Sequence, residues 1–118
     1  MKKHKILIID DNPCIRALLR YALKSDYNII EAKTAEQGLI LIRNLKPSLI
    51  ITDHQTPGRI TGLEMAQLLR EEQNPIPIIM FSASIIEEDV KHYVNSFFPK
   101  PFSIIDLIKS IRKNLSNN

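Results

Sequence analysis

The chain has 118 residues, of which 44% are hydrophobic and 25% are charged, and it contains a single cysteine. This size and composition are typical of one globular domain, predicted over residues 1–118, and argue against a disordered chain. No apolar stretch approaches the ~20 residues of a membrane span, and the apolar run after the basic start is too brief for a signal peptide. We therefore expect a cytoplasmic protein with no membrane partner.

The net charge of +3 raises the question of a nucleic-acid partner. The basic residues are spread along the chain, however, and the few aromatic residues are not interleaved with them. A solvated surface explains this pattern better, so we predict no direct binding of nucleic acid. The lone cysteine, Cys14, excludes an internal disulfide and a cysteine-based metal cage.

The first half of the chain alternates short apolar runs with amphipathic stretches. In chain order we predict a strand at residues 5–9, a helix at 13–24, a strand at 28–31 and a second helix capped by Thr34, with Gln37 completing a capping box. The apolar side chains expected to face the core in these two helices are Ile15, Leu18, Leu19, Ala22, Leu23, Leu39, Ile42 and Leu45.

The second half continues the same alternation. Its predicted elements are, in order, a strand at 48–52, a loop at 54–62, a helix at 63–72, a strand at 76–81, a short helix at 87–94, a strand at 97–98 and an amphipathic helix at 103–114. Strands that alternate with helices in this way predict an α/β fold, in which parallel strands are joined by right-handed crossovers and helices cover both faces of a doubly wound sheet.

Polar residues stand where successive apolar strands end. Asp10 and Asp11 follow the first strand, Asp53 the third, Ser82 the fourth and Lys100 the fifth. The ligand crevice of an open parallel sheet lies outside the carboxyl ends of its strands, so these side chains are expected to converge there. Adjacent carboxylates repel each other unless a cation lies between them, and Mg²⁺ prefers oxygen ligands of this kind.

Each of these residues also has a purely structural explanation. Asp11 or Asn12 could cap the first helix, Asp53 could begin a turn, Ser82 could cap the next helix, and Lys100 could be an exposed loop residue. Their common position at strand ends favours the functional interpretation instead. Such a set could hold Mg²⁺, bring a phosphoryl oxygen to an aspartate nucleophile and neutralise its charge.

Four segments carry a resemblance to a known family. They are IIDDNP at residues 8–13, LIITD at residues 49–53 followed by Pro57 and Gly62, PIIMFSA at residues 77–83, and KPF at residues 100–102. Together they resemble the receiver domain of two-component response regulators, the family of the chemotaxis receiver. The resemblance covers nearly the whole chain and implies a flavodoxin-like, five-stranded parallel sheet in the order 2-1-3-4-5.

The resemblance also implies roles for individual residues. Asp53 would accept a phosphoryl group from a sensor histidine kinase or a phosphotransfer protein, and Lys100 would pair with its carboxylate. The Mg²⁺ ligands would be Asp10, Asp11, Asp53 and the backbone carbonyl of Gln55. Small Ala83 would let the phosphoryl group pass, while Ser82 and Phe97 would form a switch that changes the surface offered to a downstream protein.

The sequence departs from the family pattern in three ways. The segment from Ser82 to Lys100 is shorter by about one helical turn and has Tyr93 and Val94 where a Gly-Ala pair is usual. The loop at residues 54–62 is about one residue longer than usual, with Thr56 where methionine is common. Phe97 has no hydroxyl, so its two switch states would differ in packing alone.

Two other functions remain open. One is a receiver-like interaction module that phosphorylation no longer regulates, which the shortened segment favours and the intact acidic residues oppose. The other is a phosphatase with an aspartyl nucleophile, although the adjacent acids and the lack of room for a cap domain disfavour it. We expect no enzyme activity beyond loss of the chain's own phosphoryl group.

Overall fold

A computed structural model describes residues 3–83 and 88–116. The strands are β1 (Lys5–Ile9), β2 (Asn28–Ala32), β3 (Leu49–Asp53), β4 (Ile78–Ser82) and β5 (Ser96–Pro99). The helices are α1 (Pro13–Leu23), α2 (Ala35–Leu45), α3 (Gly62–Glu71) and α4 (Ile104–Ser116), with a 3₁₀ helix at Glu88–His92 between β4 and β5. Within the described ranges no helix is both long enough and apolar enough to cross a bilayer.

The five strands form one parallel sheet in the order β2-β1-β3-β4-β5. This confirms the predicted α/β, doubly wound, flavodoxin-like fold. The register aligns Ile9 with Thr52 and Asp53 with Phe81, so the strands end together at one edge. Because all strands are parallel, this carboxyl edge carries every residue that follows a strand directly.

The sheet separates two apolar layers. Strands β1, β3 and β4 are buried on both faces, which explains their almost continuous aliphatic sequences. On one face α2 and α3 contribute Leu39, Ile42 and Met65 to the core. On the other face α1 and α4 contribute side chains such as Leu19 and Leu107.

Two side chains predicted to face the core do not. Leu18 is 50% exposed because the buried stripe of α1 is centred on Leu19 and Leu23, and a one-residue step turns a side chain away from that stripe. Leu45 is 40% exposed because it is the last residue of α2 and lies at the edge of the stripe that contains Ile42. The helices were predicted correctly, but the width of their apolar faces was overestimated.

The helix ends use the predicted caps with one difference. The hydroxyl of Thr34 accepts the backbone N–H of Gln37 (3.1 Å), but the Gln37 side chain accepts the N–H of Lys33 (2.8 Å) rather than that of Thr34. The reciprocal capping box belongs instead to α3, between Thr61 and Glu64.

The segment between β4 and β5 differs from the predicted short helix at 87–94. Only the 3₁₀ helix Glu88–His92 is formed in its described part, and residue 87, its predicted start, lies outside the described residues. With so few residues between the two strands, this tighter helix is what the connection accommodates.

Candidate functional site

The first acidic residue of the site is held by its own backbone and by a helix. Asp10 directly follows β1, and its N–H donates to the carbonyl of Ala32 (3.1 Å). Its carboxylate Oδ1 accepts the N–H of Asn12 (2.8 Å), and Asn12 in turn caps α1 by accepting the N–H of Cys14 (2.8 Å). The turn that begins α1 therefore fixes the Asp10 side chain, which is buried, and leaves Asp11 exposed.

Asp53 reaches the same place as the last residue of β3, the strand next to β1. One carboxylate oxygen from each of Asp10, Asp11 and Asp53 lies within 4.8 Å of the others. Asp53 is 7% exposed, and its Oδ1 accepts the N–H of Gln55 (3.1 Å). Neighbouring strand ends thus produce a cluster of three carboxylates at the carboxyl edge.

Lys100 brings a positive charge to this cluster from β5. Its Nζ donates to Asp53 Oδ2 at 2.7 Å and lies 3.9 Å from Asp10 Oδ2. The Lys100 backbone N–H donates to the carbonyl of Ser82 (2.9 Å), which places the residue beside the end of β4. Phe81 lies below the ammonium, with 5.5 Å between Nζ and the ring centroid.

The pKa of Asp10 is raised above the usual value for an aspartate. The main cause is burial, and the nearby carboxylates of Asp53 and Asp11 act in the same direction. The N–H of Asn12 and the ammonium of Lys100 oppose this effect but do not cancel it. The site also gathers three carboxylates around the single ammonium of Lys100, which cannot neutralise all of them.

The donor atoms fit a hard divalent cation. Oδ2 of Asp10 is buried and accepts no hydrogen bond from the described residues, so one lone-pair direction remains for a metal. Together with Asp11 and Asp53 it offers an all-oxygen set, which is the ligand type that Mg²⁺ prefers. A second cation would also offset the repulsion from Asp53 and Asp11, which adds to the effect of burial on the Asp10 pKa.

The remaining predicted site residues lie around this cluster. Ser82 is buried at the end of β4, and Ala83 follows it on the surface. Phe97 is half-buried on β5 and pairs with Met80, so alternation along the strands places Phe97 and Ser82 on the same face. The main chain of Gln55 lies at Asp53, as its hydrogen bond shows, and the role of its carbonyl stays a prediction.

One contributor was missed from sequence. Arg16 of α1 donates from Nη1 to the carbonyl of Asp10 (2.7 Å), and its Nε forms an ion pair with Glu31 of β2 (3.2 Å). It thereby holds the peptide between Asp10 and Asp11 in place. In sequence Arg16 resembles any arginine on an amphipathic helix, and no local signal distinguishes it.

Comparisons with known proteins agree with this geometry. The family model of the response regulator receiver domain matches residues 6–112. The nitrate/nitrite response regulator protein NarL of Escherichia coli is 35% identical over 115 residues, which cover 92% of this chain and 53% of that protein. The alkaline phosphatase synthesis transcriptional regulatory protein PhoP of Bacillus subtilis is 35% identical over 104 residues, covering 84% and 43%. The chain spans about half the length of these curated relatives.

A solved structure is similar along its whole length. The response regulator protein TrrA from Thermotoga maritima, in complex with Mg²⁺ and BeF, superposes with a TM-score of 0.85. It is 30% identical in sequence, and the match covers 98% of this chain and 100% of that one. With the family match, the strand order and the acidic cluster, the chain belongs to the response regulator receiver domains of two-component systems.

Proposed function

We propose that this receiver domain is phosphorylated on Asp53 by a sensor histidine kinase or a phosphotransfer protein. The observation that carries the proposal is the contact between Lys100 Nζ and Asp53 Oδ2 at 2.7 Å, beside two further carboxylates. A carboxylate at the carboxyl edge of the sheet, beside an ammonium and further carboxylates that can hold a metal ion, suits nucleophilic attack on phosphorus. A 30% identical relative with a similar fold forms a complex with Mg²⁺ and BeF, which supports the proposal.

In the transfer step, a carboxylate oxygen of Asp53 forms a bond to phosphorus while the bond from phosphorus to the donor's histidine nitrogen breaks. The nitrogen keeps the electron pair of that bond and takes up a proton. Lys100 stands where its ammonium would move from the Asp53 carboxylate to a phosphoryl oxygen as charge develops there. Positioning and charge neutralisation are the main needs of phosphoryl transfer, and this residue pair supplies both.

Mg²⁺ would be held by Asp10, Asp11, Asp53 and the backbone carbonyl of Gln55. When bound, it neutralises negative charge that the phosphoryl group adds to an already acidic cluster. The chain contributes the fixed orientation of those ligands, because Asn12 locks the Asp10 carboxylate and the Gln55 N–H locks that of Asp53.

Phosphorylation would be read through Ser82 and Phe97, with Ala83 leaving space for the phosphoryl group. Ser82 ends the strand next to Asp53, and Phe97 lies half-buried on the same face one strand further. Movement of the Ser82 hydroxyl towards a phosphoryl oxygen would open room for Phe97 to turn inward. The resulting change of surface would be recognised by a downstream protein, without nucleic acid or membrane as a direct partner of this domain.

The experiment is to incubate the protein with Mg²⁺ and acetyl phosphate and to measure intact mass. We expect a gain of one phosphoryl group that hydroxylamine removes, and no gain for Asp53→Ala. No adduct on the wild type, or an equal adduct on Asp53→Ala, would refute the proposal. A wild type that forms no adduct while it still binds a partner protein would instead be an unregulated interaction module, and sustained turnover of phosphate esters would indicate a phosphatase.

A further inference from the structure

The loop between β3 and α3, residues 54–61, borders the phosphorylation site and is pinned at both ends. At its start, the Gln55 N–H donates to Asp53 Oδ1 (3.1 Å). At its far end, the N–H of Gly62 donates to the carbonyl of His54 (2.7 Å). The middle of the loop contacts another element, α2.

Glu36 supplies that contact from the first turn of α2. Its Oε2 accepts the backbone N–H of Arg59 at 2.9 Å, across 23 residues of sequence. This N–H is the main reason that the pKa of Glu36 lies below the usual value for a glutamate, and it outweighs the opposing effect of desolvation. The group is therefore a carboxylate at neutral pH, and the hydrogen bond is charge-assisted.

Gly58 is shaped to receive this carboxylate. Its φ of +117° lies in the region that glycine adopts most readily. A β-carbon at this position would lie 2.8 Å from Glu36 Oε1 and closer still to Oε2, nearer than real atoms approach. The Glu36 carboxylate thus occupies the space that a side chain at residue 58 would need, so the contact requires glycine at that position.

The carboxylate is the acidic group in the first turn of α2, but it is not the cap of that helix. The N-terminus of α2 is capped by the Thr34 hydroxyl, and the Gln37 side chain accepts the preceding Lys33 N–H. Glu36 can therefore be changed without removing the cap that begins α2. Loss of its side chain is expected to release the loop and leave the helix in place.

We propose that Glu36 is a positioning residue for the phosphorylation site, acting through the loop at residues 54–61. Its carboxylate holds Gly58 and Arg59, and so keeps the Gln55 main chain against Asp53, where the metal and the phosphoryl group would bind. The inference rests on the proposed function, because it assigns to Glu36 the order of that same site. Residues that orient ligands of a metal typically change its affinity 10-fold or more when they are removed.

The test compares Glu36→Ala and Glu36→Gln with the wild type. The first readout is the Mg²⁺ dissociation constant, from the shifts of the Gln55 and Arg59 amide resonances during a titration with MgCl₂. The second is the rate of phosphorylation by acetyl phosphate. We expect Glu36→Ala to raise the dissociation constant about 10-fold and to slow phosphorylation similarly. Glu36→Gln keeps an acceptor of the same shape, so a smaller effect is expected.

Two further variants separate this effect from general damage. Glu72→Ala removes the exposed partner of Arg43, the ion pair at the other end of the α2–α3 layer, and should change neither readout. Gly58→Ala should have at least the effect of Glu36→Ala, because it adds backbone strain to the lost contact, and the double variant should be no worse than Gly58→Ala alone. Thermal unfolding of each variant establishes that the fold is retained.

The outcomes are distinct. If the wild type binds Mg²⁺ and is phosphorylated but Glu36→Ala and Gly58→Ala match it in both readouts, the inference about Glu36 is wrong and the proposed function stands. If the wild type forms no adduct, the proposed function and the inference fail together. An effect of Glu72→Ala as large as that of Glu36→Ala would also overturn the assignment.

Discussion

The carboxyl edge of the sheet and the connection from β4 to β5, residues 83–95, are organised in different ways. At the edge, Asp10, Asp53 and Lys100 converge because they follow neighbouring parallel strands, and short contacts between opposite charges join them. The connection has only the 3₁₀ helix Glu88–His92 in its described part. Sheet geometry thus fixes the chemical site, whereas the connection depends on individual contacts with α3.

The main such contact is the side chain of Arg70. Its guanidinium, which is half-buried, spans from α3 to the loop before β4 and to the end of the connection. It donates to four acceptors, which are the carbonyls of Tyr93, Asn74 and Ile76 and the Asn95 side-chain oxygen. Burial lowers the pKa of this arginine, yet a guanidinium remains protonated throughout the physiological range. Arg70 therefore holds the described end of the connection together with the buried side chains of Val90 and Val94, and the two regions should respond separately to mutation.

The largest expected effect is at the site. Lys100→Ala removes the only ammonium of the cluster described above, and phosphorylation by acetyl phosphate should slow about 100-fold. The free energy of unfolding without metal should also fall, by about 1–3 kcal/mol, because the mostly buried Asp53 carboxylate loses its hydrogen-bonded cation. Phosphorylation rates and urea denaturation measure the two quantities. The control is Lys109→Ala, at an exposed position of α4. A large loss of stability without a loss of rate would contradict the comparison.

The second effect should appear in the connection. Arg70→Ala removes the donor of three carbonyls and one of the two donors to Asn95 Oδ1, and we expect the free energy of unfolding to fall by about 2 kcal/mol. Phosphorylation of the folded fraction should stay within about twofold of the wild type, because no site residue contacts Arg70. Urea denaturation and the acetyl phosphate assay test both statements. A loss of phosphorylation as large as that of Lys100→Ala would show that the regions are coupled.

A smaller effect is expected from the buried acid. The pKa of Asp10 is raised by folding, so the folded state binds this proton more tightly than the unfolded chain does. Stability without metal therefore falls as the pH rises from the unfolded value through the folded one. At neutral pH in EDTA, Asp10→Asn should raise the free energy of unfolding by about 1 kcal/mol.

Added Mg²⁺ provides the contrast for that variant. It should stabilise the wild type, because it binds the folded state, and should stabilise Asp10→Asn much less. Denaturation in EDTA and in MgCl₂ gives both values, with exposed Asp26→Asn as the control. An Asp10→Asn protein that is less stable than the wild type in EDTA would show that the buried charge is not a cost to the fold.

The smallest effect should come from the exposed ion pair of Arg43 and Glu72. These side chains meet at 2.6 Å but are 56% and 43% exposed. Arg43→Ala should therefore change the free energy of unfolding by less than about 0.5 kcal/mol, far less than Arg70→Ala. The same urea measurements decide the matter. Equal effects of the two arginine variants would mean that burial is not what makes Arg70 an anchor.

Much of the fold and the acidic cluster could be predicted from sequence because their signals are local. Aliphatic runs such as residues 6–9 and 49–52 mark buried parallel strands, and an acid at the end of each run must then lie at the carboxyl edge. Leu18 and Leu45 were predicted to face the core but are exposed. Periodicity indicates which face of a helix is apolar, but not how much of that face the sheet covers.

The sequence by itself determined the order of strands and helices and the chemical types gathered at one edge: carboxylates at Asp10, Asp11 and Asp53, and an ammonium at Lys100. The tertiary structure decided which residues hold that edge and the connection in place. Arg16, Glu36 and Arg70 act on partners 4 to 25 residues away, on other elements or across a turn. Their contacts depend on how helices, strands and loops pack against one another, and local sequence periodicity does not determine that packing.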